Sequence, residues 1–178
     1  MKEQLIFPTP DETALITSAQ HLINQYAQEG MMLSVTFDKL LSIAAQGLLG
    51  LLCQENAVIA TAAISFQFPH GHNEFGAWAV QPELVKHGYG TAIMGALFSQ
   101  IGPDRNYIAF GNENSAPIFK KLGAVPYDHD AFYALEPEAF APCATCLCQG
   151  KELFGKGRRC ADEIFDLRPV VTKILYQR

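Results

Sequence analysis

The hydrophobic positions of this chain follow two different periods. After Asp11 and Thr13, Leu15, Ile16, Leu22, Ile23, Tyr26 and Ala27 recur at three- and four-residue steps, which predicts an amphipathic helix stopped by Gly30. A second helix is predicted over Phe37–Gln46, with Thr36 as N-cap and Leu40, Leu41, Ile43 and Ala44 facing inward. The period then changes. Leu48–Cys53 and Ala57–Phe68 are rich in apolar and β-branched residues, and Gln54-Glu55-Asn56 between them reads as a hairpin turn. Pro69-His70-Gly71-His72-Asn73 reads as a second turn, followed by a third strand over Glu74–Val80. Helical spacing returns after Gly90, with Ile93, Met94, Leu97 and Ile101 inward, and ends at Gly102-Pro103-Asp104. Tyr107–Phe110 reads as a buried strand, Ser115–Leu122 as a short helix stopped by Gly123, and Ala131–Leu135 as a strand. Pro137 and Pro142 mark a boundary, and the chain closes on a strand-like apolar run, Val170–Tyr176.

Composition narrows the class. With 178 residues, 49% of them hydrophobic, the chain fits one compact domain with a small appendage and can bury a core without covalent staples. A net charge of −5 argues against non-specific nucleic-acid binding, although Lys151–Arg159 is locally basic. Met1–Pro10 has no apolar segment of the signal-peptide kind. The apolar stretch Leu40–Leu52 is too short to span a bilayer and is interrupted by Gln46 and two glycines. The expectation is a soluble cytoplasmic protein with no nucleic-acid or membrane partner; a homodimer is left open.

The segment Lys86-His87-Gly88-Tyr89-Gly90-Thr91 sits between a strand and a helix. A helix N-terminus presents free backbone N–H groups and partial positive charge, and glycines allow a phosphate to approach them closely. The segment therefore suits a pyrophosphate, with Lys86 adding charge. No Gly-Lys-Ser/Thr follows, so it is not a P-loop. Gly95 comes too late for the dinucleotide fingerprint. Taken alone, Gly-x-Gly is better explained by an ordinary strand-to-helix turn.

Its surroundings change that balance. Val80-x-Pro82, five residues, then Gly88-x-Gly90 resembles the acetyl-CoA signature of the GNAT acyltransferases. Asn112-Glu-Asn-Ser115-Ala-Pro-Ile118-Phe119-Lys-Lys-Leu-Gly123-Ala124 resembles that family's Asn-x-x-Ala-x-x-Leu-Tyr-x-x-x-Gly-Phe segment. The resemblance covers roughly residues 1–136. It implies an α/β fold of GNAT type, a mixed and mostly antiparallel sheet flanked by helices, over residues 1–137. A Cys-rich extension would follow over residues 138–178. The implied activity is acetyl transfer from acetyl-CoA to a primary amine by direct attack in a ternary complex.

The resemblance also assigns roles. The Glu74–Val80 strand matches the family's fourth strand, which parts from the fifth to admit the pantetheine arm. Ala79 and Val80 would supply the pairing backbone, and the Val80 amide would polarise the thioester carbonyl. Lys86, His87, Gly88, Tyr89, Gly90 and Thr91 would hold the pyrophosphate. Asn112, with Ser115 and Phe119 of the same motif, would lie along the cofactor. Glu74 matches the place where several members carry a general-base glutamate; a solvated residue at a strand entrance is the even alternative. His70 and His72 could relay a proton through water, although turn histidines are more often merely exposed.

Three positions depart from the pattern. Val85 stands where the family has Arg or Gln. Phe119 stands where a tyrosine commonly protonates the leaving thiolate, which leaves Tyr107, Tyr127 and Tyr133 as substitutes. The segment Leu-Ile-Asn-Gln-Tyr-Ala-Gln-Glu-Gly-Met-Met-Leu is similar to the opening of amino-acid N-acetyltransferase domains, but Val35 replaces their arginine. A small amine or amino acid is thus placed ahead of protein lysine as acceptor. A non-catalytic acyl-CoA-binding or sensor module, or an interaction protein acting through its tail, stays open.

Four of the five cysteines crowd together as Cys143-x-x-Cys146-x-Cys148, eleven residues, then Cys160. Short thiolate spacings of this kind suit a structural zinc, with His129 or Asp162 replacing one member if needed. Cys53, in an apolar strand, is expected in the core.

Overall fold

The structure is a computed structural model that describes residues 3–139 and 163–176. Its strands are β1 (Glu3–Ile6), β2 (Leu49–Gln54), β3 (Ala57–Gln67), β4 (His72–Val80), β5 (Asn106–Gly111), β6 (Val125–Tyr127) and β7 (Glu163–Asp166). Its helices are α1 (Thr13–Gln28), α2 (Phe37–Ala45), α3 (Tyr89–Ile101), α4 (Ala116–Leu122), α5 (His129–Leu135) and α6 (Arg168–Tyr176), with a 3-10 turn at Pro82–Leu84. Hydrogen bonding orders the strands β1-β2-β3-β4-β5-β7-β6. The chain divides into two compact units, Met1–Ser65 with Phe75–Pro103, and Phe66–Glu74 with Asp104–Arg178.

In the first unit β1 pairs antiparallel with β2, and β2 with β3. Glu55 and Asn56 both take positive φ (51° and 68°), as a tight hairpin requires. The Thr36 hydroxyl accepts from the Lys39 N–H at 3.2 Å and caps α2. Ile16, Leu40, Leu49, Leu51, Ile93 and Met94 are all buried, so α1, α2 and α3 each bury an apolar stripe in this core. Sequence reading missed β1; with it included, the strand leading into the glycine turn is the fourth.

In the second unit the first residues of β4 pair in parallel with β5, through His72↔Asn106, Asn73↔Tyr107 and Glu74↔Ile108. His72 and Asn73 therefore belong to the strand, not to the preceding turn. β5 pairs antiparallel with β7, and β7 with β6. Phe68, Ile108, Phe132 and Ile164 form the apolar cluster of this unit.

Two expected strands are helices. Ala131–Leu135 lies in α5, because the Asp128 carboxylate accepts from the Ala131 N–H at 2.8 Å and starts a helix there. Val170–Tyr176 lies in α6. The Asp166 carboxylate accepts from the Arg168 N–H at 2.9 Å, and Leu167, Val170 and Val171 are buried at helical spacing. β-Branched composition suggested a strand, but the three- and four-residue spacing prevails.

Gly111 closes β5 against α4. A Cβ there would lie 2.8 Å from the Phe165 ring and 3.1 Å from the Ala116 Cα. Phe165 is fully buried and cannot swing away. Gly111→Ala is expected to destabilise the fold by about 1–3 kcal/mol through overpacking. Urea unfolding monitored by circular dichroism checks this, and a midpoint equal to wild type contradicts it.

Candidate active site

Within the first unit, β4 runs into the glycine turn. Gly88 is the N-cap of α3 with φ 89°, in the left-handed region that glycine occupies without strain. No side chain caps α3 there. The N–H groups of its first turn thus keep the donors that an α-helix start leaves unpaired, together with its partial positive charge. Lys86 also has positive φ (71°), which gives the turn its tight course. The Trp78 indole N–H on β4 donates to the Gly90 carbonyl at 2.9 Å, and a Cβ on Gly90 would press on that ring at 3.2 Å. Gly90 is small because Trp78 lies against it.

Tyr89 and His87 stack with rings 6.5 Å apart, and the Tyr89 hydroxyl donates to Glu3 at 2.9 Å. The hydrogen bond to Glu3 raises the Tyr89 phenol above its ordinary value, with smaller contributions from burial and from the Glu3 charge. The Tyr89 side chain is therefore engaged with Glu3 and His87. Thr91 follows in the same first turn.

The end of β4 is held from two sides. The Tyr26 hydroxyl of α1 donates to the Val80 carbonyl at 2.5 Å. Burial, then Glu29 and Glu83, raise the Tyr26 phenol, so it stays a donor. The Gln81 backbone N–H donates to the Ile59 carbonyl at 2.9 Å and its side chain to the Val58 carbonyl at 3.0 Å. Ala77 has φ 48°, uncommon for a residue with a side chain, and its carbonyl accepts from the buried Thr61 hydroxyl. Ala79 is buried and Val80 half-buried. The strand is thus bent and pinned just before the positions the sequence assigned to backbone pairing. Nothing in the sequence signalled Thr61, Tyr26 or the strained Ala77.

An open groove of about 770 Å³ also lies in this unit, between α1 and Gln81–Glu83. Its lining contains one carboxylate, Glu83, and no lysine or arginine. That charge balance does not suit a polyphosphate.

The second unit holds the other expected residues. Glu74 is half-buried on β4, opposite Ile108. The Asn112 side-chain carbonyl accepts from the N–H groups of Asn114 and Ser115 at 2.9 and 3.0 Å, and the Ser115 hydroxyl accepts from the Asn112 N–H at 3.1 Å. The motif that suggested cofactor contact thus first serves to start α4. Phe119 is buried with its ring centroid 5.6 Å from that of Phe165; the structure places it in the core. Tyr107 is also fully buried, and burial is the main cause that raises its phenol. Cys53 is buried and free, as expected. Cys143, Cys146, Cys148 and Cys160 lie outside the described residues. Among the described residues no group of three His, Cys, Asp or Glu is placed to hold a metal.

Sequence reading missed Glu136. It is fully buried at the end of α5. One carboxylate oxygen accepts from His72 Nδ1 at 2.9 Å, the other from His70 Nδ1 at 3.2 Å, and the His70 backbone N–H donates to the same carboxylate at 3.2 Å. Burial, the largest single influence, pushes the carboxyl up; the bonds from His72 and His70 together outweigh it and hold it below its ordinary value. His72 is itself buried, with its ring edge-on to Tyr127 and Phe132 at 6.1 and 5.2 Å. Sixty-four residues separate His72 from Glu136, and no local pattern links them.

Residues 16–124, more than half of the chain, match the family model described as Acetyltransferase (GNAT) family. The chain belongs to the GNAT acetyltransferase family. No curated protein matches its sequence. Among solved structures it is similar to N-acetylglutamate synthase from Neisseria gonorrhoeae, complexed with coenzyme A and N-acetyl-glutamate. That match has a TM-score of 0.63 at 15% identity, over 93% of this chain and 34% of that one. It is also similar to Rv2747 from Mycobacterium tuberculosis in complex with CoA, with a TM-score of 0.63 at 16% identity, over 91% and 96% of the two chains. Diaminobutyrate acetyltransferase EctA from Paenibacillus lautus, complexed with L-2,4-diaminobutyric acid and coenzyme A, matches with a TM-score of 0.56 at 11% identity, over 71% and 80%. The chain spans about a third of the length of the Neisseria protein. At these identities the likeness is one of fold, and it gives the mixed, helix-flanked sheet the GNAT architecture.

For a GNAT protein with this buried carboxylate, the sign of the acid dependence follows. Glu136 has a folded pKa below its ordinary 4.5, so the stability it contributes is present above that value and is lost as pH falls through the depressed one. Glu136→Gln is expected to lower stability at neutral pH by about 1.5–3 kcal/mol, the usual scale for hydrogen bonds to a charged group. It should also flatten the decline in thermal midpoint on acidification. Equal wild-type and variant midpoints from pH 7 down to acid would contradict this.

Proposed function

We propose that this chain is an acetyl-CoA-dependent N-acetyltransferase acting on a small primary amine, most simply an amino acid. The observation that carries the reading is the start of α3. Its first turn has no side-chain cap, follows a left-handed glycine, and is set against β4 by Trp78 and Gly90. Those amides and Lys86 suit the diphosphate of coenzyme A. Family membership and the coenzyme A named for similar folds support the same assignment. Ala79 and Val80 would offer backbone to the pantetheine arm, and the Val80 N–H would polarise the thioester carbonyl as charge develops on its oxygen. Asn112 and Ser115 support the reading through the loop they shape ahead of α4.

In the direct-attack route the acceptor loses a proton, its nitrogen bonds to the acetyl carbon, and the carbon–sulfur bond breaks. An amine of the lysine type has a pKa of about 10.4, so a base is needed at neutral pH, and Glu74 fills that role directly or through water. The buried Phe119 donates no proton, but a thiol pKa of about 8.5 lets thiolate leave unaided at lower rate. The amino-acid ligands named for the Neisseria and Paenibacillus proteins favour a small acceptor over protein lysine.

The test is release of free thiol from acetyl-CoA in the presence of L-glutamate, L-2,4-diaminobutyrate, a polyamine or a lysine-containing peptide. Thiol release with a small amine, and little with the peptide, is the expected result. Coenzyme A binding without thiol release would instead favour a sensor module. Glu74→Gln is expected to lower kcat/KM by about 10² or more near neutral pH and to remove the dependence on a basic group. An unchanged pH–rate profile takes Glu74 out of the mechanism.

A further inference from the structure

The second unit buries a carboxylate that is bonded by two histidine rings. We propose that Glu136 and His72 form a proton-accepting dyad serving the acceptor amine, with Glu136 as the positioning residue and His72 Nε2 as the acceptor atom. The proposal rests on the transferase reading above.

A carboxylate accepts and does not donate. With Glu136 held ionised, the 2.9 Å contact to His72 Nδ1 requires the proton on that nitrogen. A neutral imidazole carries one N–H, so Nε2 then bears a lone pair. No described residue hydrogen-bonds His72 Nε2, and the side chain keeps 11% of its surface open to solvent. Tyr127 and Phe132 meet the ring edge-on and fix its plane. The outcome is an oriented base with a buried anion behind it and solvent ahead of it.

The neighbours are consistent with that role. His72 and Glu74 stand two residues apart on β4, and strand alternation puts them on one face. Among the described residues, the ionisable groups around His72 are Glu136 at the end of α5, which also bonds His70 of the preceding turn, the Tyr127 phenol of β6, and Glu74 two residues along its own strand. A clamp between the turn and α5 would need only neutral hydrogen bonds, and burying a charge for that purpose is costly. An imidazole is also better matched than an ordinary carboxylate to accept a proton near neutral pH.

The acceptor ammonium gives one proton to Glu74, directly or through water. Glu74 passes it to His72 Nε2 two residues away on the same strand, and Glu136 compensates the imidazolium. The amine nitrogen bonds to the acetyl carbon and the carbon–sulfur bond breaks. The second nitrogen proton passes through water to the departing thiolate, and His72 returns its proton to solvent. Ammonium and acetyl-CoA thus become amide, free coenzyme A thiol and one proton.

The test has a spectroscopic and a kinetic arm, both on the full chain. Nitrogen NMR of 15N-histidine-labelled protein is expected to show His72 with Nδ1 protonated and Nε2 unprotonated, and Glu136→Gln should shift it toward the commoner Nε2–H form. A wild-type His72 protonated at Nε2 overturns the dyad whatever the activity. His72→Asn keeps an N–H directed at Glu136 but has no base. With acetyl-CoA and whichever amine of the panel the wild type acetylates, it is expected to lower kcat at least about tenfold and lose one limb of the pH profile, with KM and thermal midpoint little changed. Normal turnover by His72→Asn overturns this role alone. A wild type that releases no thiol with any amine overturns the transferase reading, and this role with it.

Discussion

The first turn of α3 starts on a left-handed glycine and has no side-chain cap. Serine, threonine, asparagine or aspartate often takes up such N–H groups through its side chain; here they are left to water or to a ligand. The surrounding structure keeps the opening in shape. Gly88 supplies the backbone reversal, Trp78 bonds the Gly90 carbonyl, and the exit of β4 is fixed to β3 through Gln81. A bound diphosphate would complete the helix start that the sequence leaves incomplete.

β4 is the other organising element. Its first residues pair in parallel with β5, while its later part takes the strained Ala77 conformation, held by the Thr61 hydroxyl, and then the clasp of Tyr26 on Val80. Strain of this kind persists only where neighbours over-determine it. Here the neighbours are a buried hydroxyl on β3 and a phenol on α1, each bonded to a carbonyl of the strand expected to pair with pantetheine. At its start the same strand carries His72 and Glu74.

The first unit was largely legible in the sequence. Period and capping gave α1, α2 and the β2–β3 hairpin nearly to the residue, because each element is long enough for its pattern to show. The glycine turn was legible for a different reason, since few side chains tolerate φ near 90° where Gly88 sits. β1, β6 and β7 were missed: each has only three or four residues, and short strands gain their stability from partners distant in sequence. α5 and α6 were misread because β-branched and aromatic content outweighed spacing. In α6 the buried Leu167, Val170 and Val171 carry the helical signal that the run of valines obscured. The Glu136–His72 contact joins the start of β4 to the end of α5 within the second unit, and only the folded chain shows it.

The claim tested most directly is that the opening of α3 takes up the diphosphate of coenzyme A. Isothermal titration at modest salt with coenzyme A, and separately with pantetheine and with adenosine 3′,5′-bisphosphate, neither of which has the diphosphate bridge, tests that contact. Saturable heat from coenzyme A that weakens with added salt, and little or none from either fragment over the same range, is the result this structure predicts. A folded protein that gives no heat with coenzyme A, or that binds either fragment equally well, contradicts it.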